Sequence, residues 1–152
     1  MARLKRILHP SDFSRASAGA FAKAVQLAKD NRAELVVLHV LTLSLPMMTG
    51  EGYVPPSVYE QIETASRAWG QRELDKLVAK AKKAGIRARG LLVEGTPHDR
   101  ITRAARSTRA DLIVIGTHGR TGLARLFLGS VATRVLSTAP CPVLTVRAKG
   151  DR

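Results

Sequence analysis

Apolar residues along this chain fall into two kinds of block. Short unbroken aliphatic runs alternate with longer stretches in which apolar positions recur every three or four residues. The first run, Leu4 to His9, predicts a strand ending at Pro10. The turn Ser11-Asp12-Phe13-Ser14 follows, and Ser14 reads as an N-cap because its hydroxyl can accept from a free backbone N–H. The helix it opens runs from Arg15 to about Asn31, with Ala18, Phe21, Ala22, Val25 and Ala28 as its apolar face. Glu34 to Val40 is a β-branched and leucine run without alternation, the pattern of a strand covered on both faces.

Residues 41–56 carry Pro46, Gly50, Gly52, Pro55 and Pro56 and no period, so they read as a flexible connection or lid. A long helix is predicted from Ser57 to Ala84, stopped by Gly85, with Gly70 as a weak point inside it. Ile86 to Val93 is the third strand. Thr96 and Pro97 open a helix over 97–108, as N-cap and first helical residue. Asp111 to Ile115 is the fourth strand, Ser130 to Thr138 the fourth helix, and Pro142 to Val146 the last strand. Strands alternating with helices predict a parallel sheet with helices on both faces. With 152 residues and no linker or repeat, the expectation is one domain over 1–152, its core at about 3–147.

Composition changes this picture in one respect. Twenty-five Lys and Arg against 12 Asp and Glu give a net charge of +13. The basic residues gather in two clusters: Arg100, Arg103, Arg106 and Arg109, and Lys76, Lys80, Lys82, Lys83, Arg87 and Arg89. A solvated helix face explains such clusters; a polyanion or nucleic-acid patch is the sharper alternative. No aromatics are interleaved to stack bases, which weighs against nucleic acid. Cys141 is the one cysteine and reads as a small core residue, which excludes a disulfide framework. The longest apolar stretch, Leu35 to Met48, contains His39 and Pro46 and falls short of the ~20 residues a span needs. No signal peptide is visible, so a cytoplasmic location without membrane partners is the expectation.

The chemistry concentrates at two strand ends, where open parallel sheets bind ligands. One is His9-Pro10-Ser11-Asp12. The other is Gly116-Thr117-His118-Gly119-Arg120-Thr121-Gly122, which leads to Gly129-Ser130 at a helix start. Glycines let N–H groups approach an anion, and a helix N-terminus offers unpaired N–H groups with partial positive charge. Arg120 and Arg125 add charge, so the set reads as a phosphate cradle, although such glycines are also common in ordinary turns. Asp12 is placed for a ribose diol and Val40 for a base. His9 and His39, ending apolar strands, read as satisfied interior histidines. Neither a P-loop nor a G-x-G-x-x-G occurs, and no nucleophile triad, paired-carboxylate motif or metal cluster is visible.

Gly116-x2-Gly119-x9-Gly129-Ser130 matches the G-2x-G-9x-G-[ST] pattern of the nucleotide-binding universal stress proteins, which this chain resembles over nearly its whole length. Ile7 to Ser14, Leu38-His39-Val40 and Pro140 to Leu144 also resemble family segments. The resemblance implies an α/β fold with an open five-stranded parallel sheet of order 3-2-1-4-5, adenine-nucleotide alpha-hydrolase-like. It implies binding of ATP, or ADP or AMP, with Mg²⁺ or Mn²⁺ held mainly by phosphates. By position, Pro10, Ser11 and Asp12 would meet the adenosine, and Val40 and Ile115 the adenine or ribose. Gly116, His118, Gly119, Gly129, Ser130 and Val131 would line the ribose and phosphates. A homodimer through 142–146 is implied as well. The expected role is a nucleotide-dependent sensor or switch in stress response. The alternatives are a slow ATPase or autophosphorylating enzyme in the same pocket, or a polyanion-binding protein with a vestigial site.

Overall fold

A computed structural model describes residues 3–42, 54–117 and 128–148. Nine elements follow one another in them: β1 (Arg6–Pro10), α1 (Arg15–Asn31), β2 (Glu34–Leu41), α2 (Pro56–Lys83), β3 (Ala88–Glu94), α3 (Pro97–Ser107), β4 (Leu112–Gly116), α4 (Ser130–Thr138) and β5 (Val143–Val146). All strand pairs are parallel, in the order β3-β2-β1-β4-β5. That is the α/β sheet the chain was expected to form.

Alternate side chains feed two separate cores. Ile7, Leu35, Val37 and Val114 pack beneath α1 and α2 with Phe21, Ala24 and Leu74. Leu8, Val36, Leu38, Ile113 and Ile115 face α3 and α4, meeting Ile101, Ala105 and Val135. The unbroken aliphatic run of β2 thus has a physical cause: both its faces are covered.

Several boundaries shift. β1 starts at Arg6, not Leu4, and β3 at Ala88, not Ile86; β5 begins at Val143, after Pro142, which has no N–H for a ladder. The 41–56 connection is shorter at both ends, because Leu41 closes β2 and Pro56 opens α2; residues 43–53 lie outside the described residues. The buried face of α1 is Ser17, Ala20, Phe21, Ala24 and Ala28, while Ala18 and Ala22 are exposed. In an alanine-rich helix the apolar pattern leaves the phase open, and packing of Phe21 fixes it. Ser14 does cap α1, accepting from Ser17 N–H at 3.2 Å. Thr96 makes no side-chain cap for α3. Cys141 is half-buried rather than enclosed, and burial, with Asp111 nearby, pushes its thiol pKa up.

Glycines set how closely α2 lies on the sheet. Gly70 is no weak point: α2 runs unbroken through it, and a Cβ there would sit 3.2 Å from Leu41 and 3.3 Å from His39. At Gly90 of β3 an added Cβ would lie 2.9 Å from Leu74 Cγ and 3.0 Å from its Cδ2. Gly90→Ala should therefore lower stability by about 1–2 kcal/mol, because overpacking outweighs the usual gain on replacing a strand glycine. A urea midpoint at or above that of the wild type would contradict this close approach.

Candidate functional site

The chain order reverses between β1 and β4, so the carboxyl ends of these neighbours diverge into separate turns and leave a crevice. A cleft of ≈ 660 Å³ opens there. Pro10, Ser11, Asp12, Val40, Ile115, Gly116, Gly129, Ser130 and Val131 all line it. His118 and Gly119 lie outside the described residues, as do Arg120 and Arg125.

The β1 side is a tightly bonded turn. Ser11 N–H extends the ladder to Leu38 O at 2.8 Å, and Phe13 N–H donates to Ser11 Oγ at 3.1 Å. Ser14 N–H donates to Asp12 Oδ1 at 2.9 Å, which fixes the carboxylate at the cleft edge. This closure forces Phe13 to φ 64°, a left-handed conformation that costs a non-glycine residue roughly 1–2 kcal/mol. Its ring is held in return. It lies 4.3 Å from the His39 ring and 5.4 Å from Trp69, edge to face. His39 Nδ1 donates to Ser11 O at 2.7 Å, tying β2 to the same turn.

The β4 side is built on close backbone approach. A Cβ at Gly116 would come within 3.3 Å of Ala16 O, a tight contact that would push the start of α1 back by a few tenths of an ångström, so glycine lets α1 lie close against β4. Gly129 N–H donates to Thr117 O at 2.6 Å and brings the start of α4 to the end of β4. Gly129, the N-cap residue of α4, has no side chain to cap the helix, and no side-chain cap is made among the described residues. The first-turn N–H groups of α4 and their partial positive charge therefore face the cleft beside the Ser130 hydroxyl.

Beneath the site, His9 Nδ1 donates to Val114 O at 2.9 Å, joining β1 to β4. Its Nε2 is buried with no hydrogen-bond partner among the described residues. Burial lowers its pKa to about 4, against smaller opposing effects of the Val114 bond and Asp12. His9 and His39 are thus both interior, but His39 also lines the cleft, as do Ser17, Thr42, Ser66, Trp69, Pro97, Ile101 and Thr117. Thr117 belongs to the loop after β4 that the sequence singled out; the others were missed because they come from helix flanks and from the other face and the end of β2. Among the described residues, no group of His, Cys, Asp and Glu side chains could hold a metal ion. None of their helices is long and apolar enough to cross a membrane.

A parallel sheet of this order, with helices on both faces and a cleft at the β1/β4 divide, defines a doubly wound α/β class. Within that class, the chain belongs to the universal stress protein family, whose model matches residues 3–147. Universal stress protein MJ0531 of Methanocaldococcus jannaschii is 38% identical over 143 residues, covering 94% of this chain and 82% of its own length. The solved universal stress protein UspA from Lactobacillus plantarum is 28% identical, with a TM-score of 0.82 over 97% of this chain and 100% of the other. A universal stress protein solved in complex with cAMP is 25% identical, with a TM-score of 0.68 over 97% of this chain and 100% of that one.

Proposed function

We propose that this chain binds an adenine nucleotide in the β1/β4 cleft, ATP before ADP or AMP, and works as a nucleotide-dependent switch. The observation that carries the reading is the cleft itself. Asp12, at the turn after β1, and the uncapped start of α4 face one space walled by Val40 and Ile115. An apolar wall suits a base, a fixed carboxylate suits a ribose diol, and free helix N–H groups suit phosphate. The related cAMP complex supports the same ligand class. Phosphates would bring Mg²⁺ or Mn²⁺ with them and supply the charge that Gly129, Ser130 and Val131 receive. His118 and Gly119 complete the cradle in this reading. Occupancy shifts the population of partner-binding conformations by whatever difference in affinity they have for the nucleotide.

Extraction of nucleotide from freshly purified protein, with calorimetry of added ATP, tests the proposal. Bound adenine nucleotide or saturable ATP binding is expected; an empty protein that binds none would overturn it. Phosphate release from labelled ATP well above that of a Gly119 variant would instead favour the slow ATPase or autokinase.

The switch is proposed to act as a homodimer through Val143–Val146. β5 is the terminal strand of the sheet, and Leu144 on it is 37% exposed, an apolar edge of the kind that seeks a partner. Leu144→Lys should yield a monomer in light scattering where the wild type is a dimer. A variant that stays dimeric would place the interface elsewhere.

A further inference from the structure

We infer that the end of the fold opposite the cleft is a docking surface for the phosphate backbone of a nucleic-acid duplex. In this topology every strand start and every helix end falls on that side. Main-chain bonds tie the corner together: Glu34 N–H donates to Lys5 O, Leu35 N–H to Arg87 O, and Asp111 N–H to Arg6 O.

The charge is concentrated here. Lys5 precedes β1, and Lys29 and Arg32 close α1. The last turn of α2 holds Lys80, Lys82 and Lys83, with Arg87 just beyond. Arg106 and Arg109 finish α3, so the arginine series of 100–109 does not form one face. Its other half, Arg100 and Arg103, turns toward Glu94 O and Asp99 near the cleft. All nine cations are exposed, and none has a carboxylate partner among the described residues.

Three carboxylates share this end: Asp30, Glu34 and Asp111. Glu34 is bonded by Arg6 at 2.9 Å and Arg89 at 3.1 Å, and these bonds outweigh its burial and hold its pKa down. Asp111 accepts from the backbone N–H groups of Lys5 and Arg6. Helix dipoles do not absorb the rest, since each C-terminus offers only about half a negative charge. Near the cleft, by contrast, Arg67 is matched by Glu63 and Glu94.

The partner's chemistry follows from what the surface lacks and what it spans. The starts of β3, β2, β1 and β4 are neighbours at about 4.8 Å each, so the row is roughly 15 Å wide before the helix ends are added. Duplex DNA presents one charge per ≈ 1.7 Å of axis, so such a row meets several phosphates at once. The aromatic cluster of Phe13, His39 and Trp69 sits at the other end, so among the described residues bases of a single strand find no stacking platform here. Among the described residues, the exposed apolar side chains Val58, Ile62, Trp69 and Leu128 lie on the first half of α2 and just before α4, toward the cleft, while Leu136 and Leu144 stand singly on the outermost helix and strand and form no continuous apolar face of the kind a bilayer needs.

Fluorescence anisotropy with a labelled mixed-sequence 30-bp DNA duplex tests the inference on the full chain. Binding should be independent of sequence, with log K falling against log salt at a slope of about −4 to −6. The triple variant Lys80→Gln, Lys82→Gln, Lys83→Gln should bind at least 10-fold more weakly and lose about 2–3 from that slope, with unchanged melting temperature. Arg103→Gln near the cleft and Gly129→Val in it should bind duplex as the wild type does, so this result is read separately from nucleotide binding. Wild-type affinity in the triple variant would overturn the inference. So would tighter binding to single-stranded DNA, or to vesicles of phosphatidylserine and phosphatidylcholine, than to the duplex.

Discussion

Gly129→Val should abolish ATP binding, with at least a 100-fold loss of affinity, and leave the fold in place. Gly129 sits at φ −58° and ψ 156°, a backbone conformation open to any residue. Glycine is therefore not required there for its conformational freedom; what the position offers is the absence of a side chain. It lines the cleft directly before α4, where the first-turn N–H groups have no side-chain cap among the described residues. A branched side chain at that point fills the approach an anion would use. A 100-fold loss corresponds to about 2.7 kcal/mol, within reach of displacing phosphates from several N–H donors. Stability should change little, since valine tolerates the extended geometry. Calorimetry with ATP and a melting curve on the same sample decide the matter. Wild-type affinity in a folded variant would place the phosphates elsewhere. Asp12→Ala should weaken binding less, because it removes one polar partner rather than the space.

The route from sequence to site was clearest where one residue type answered one local demand. Ser14 caps α1 because its hydroxyl meets Ser17 N–H, and the motif glycines at 116 and 129 stand at the two lips of the cleft. Tertiary demands were less legible. Phe13 adopts φ 64° because Ser11 and Asp12 close the turn around it and His39 and Trp69 grip its ring; no propensity for a left-handed phenylalanine announces this. Gly70 looked like a helix flaw because the side chains crowding it come from β2 and β3, some 30 residues away on one side and 20 on the other. The charge surplus was visible as a total and as two clusters. Which cations share a surface depends on helix direction, and only the parallel topology sends Lys83, Arg87 and Arg109 to one end and Arg103 to the other.

His9 makes the fold acid-sensitive in a window set by its own burial. Its Nδ1 proton is committed to Val114 O, so a second proton would have to go on Nε2, which has no acceptor among the described residues. A cation there would lose its hydration and gain no bond, which is why its pKa falls from 6.5 to about 4. An unfolded chain takes up this proton as pH falls through about 6.5, while the folded chain refuses it until about 4. Stability is thus full above pH 6.5 and declines as pH drops toward 4, by up to roughly 3 kcal/mol at 1.36 kcal/mol per unit. The depressed Glu34 acts with the same sign, but only as pH falls through and below its ordinary value of 4.5. Between pH 7 and pH 5 His9 contributes a loss of about 2 kcal/mol, which urea titrations of the wild type and a His9 variant should show as the difference between them. His9→Asn keeps an amide donor for Val114 O and removes this titration, so its stability, lower at neutral pH, should fall by about 2 kcal/mol less than that of the wild type over that window. Should the variant fail to fold, the imidazole resonances of the wild-type protein carry the same test: His9 must remain neutral at pH 5. A ring that titrates near 6.5, or a wild-type stability that falls no more than the variant's from pH 7 to 5, would mean that water reaches Nε2 and that the β1–β4 junction is open beneath the cleft.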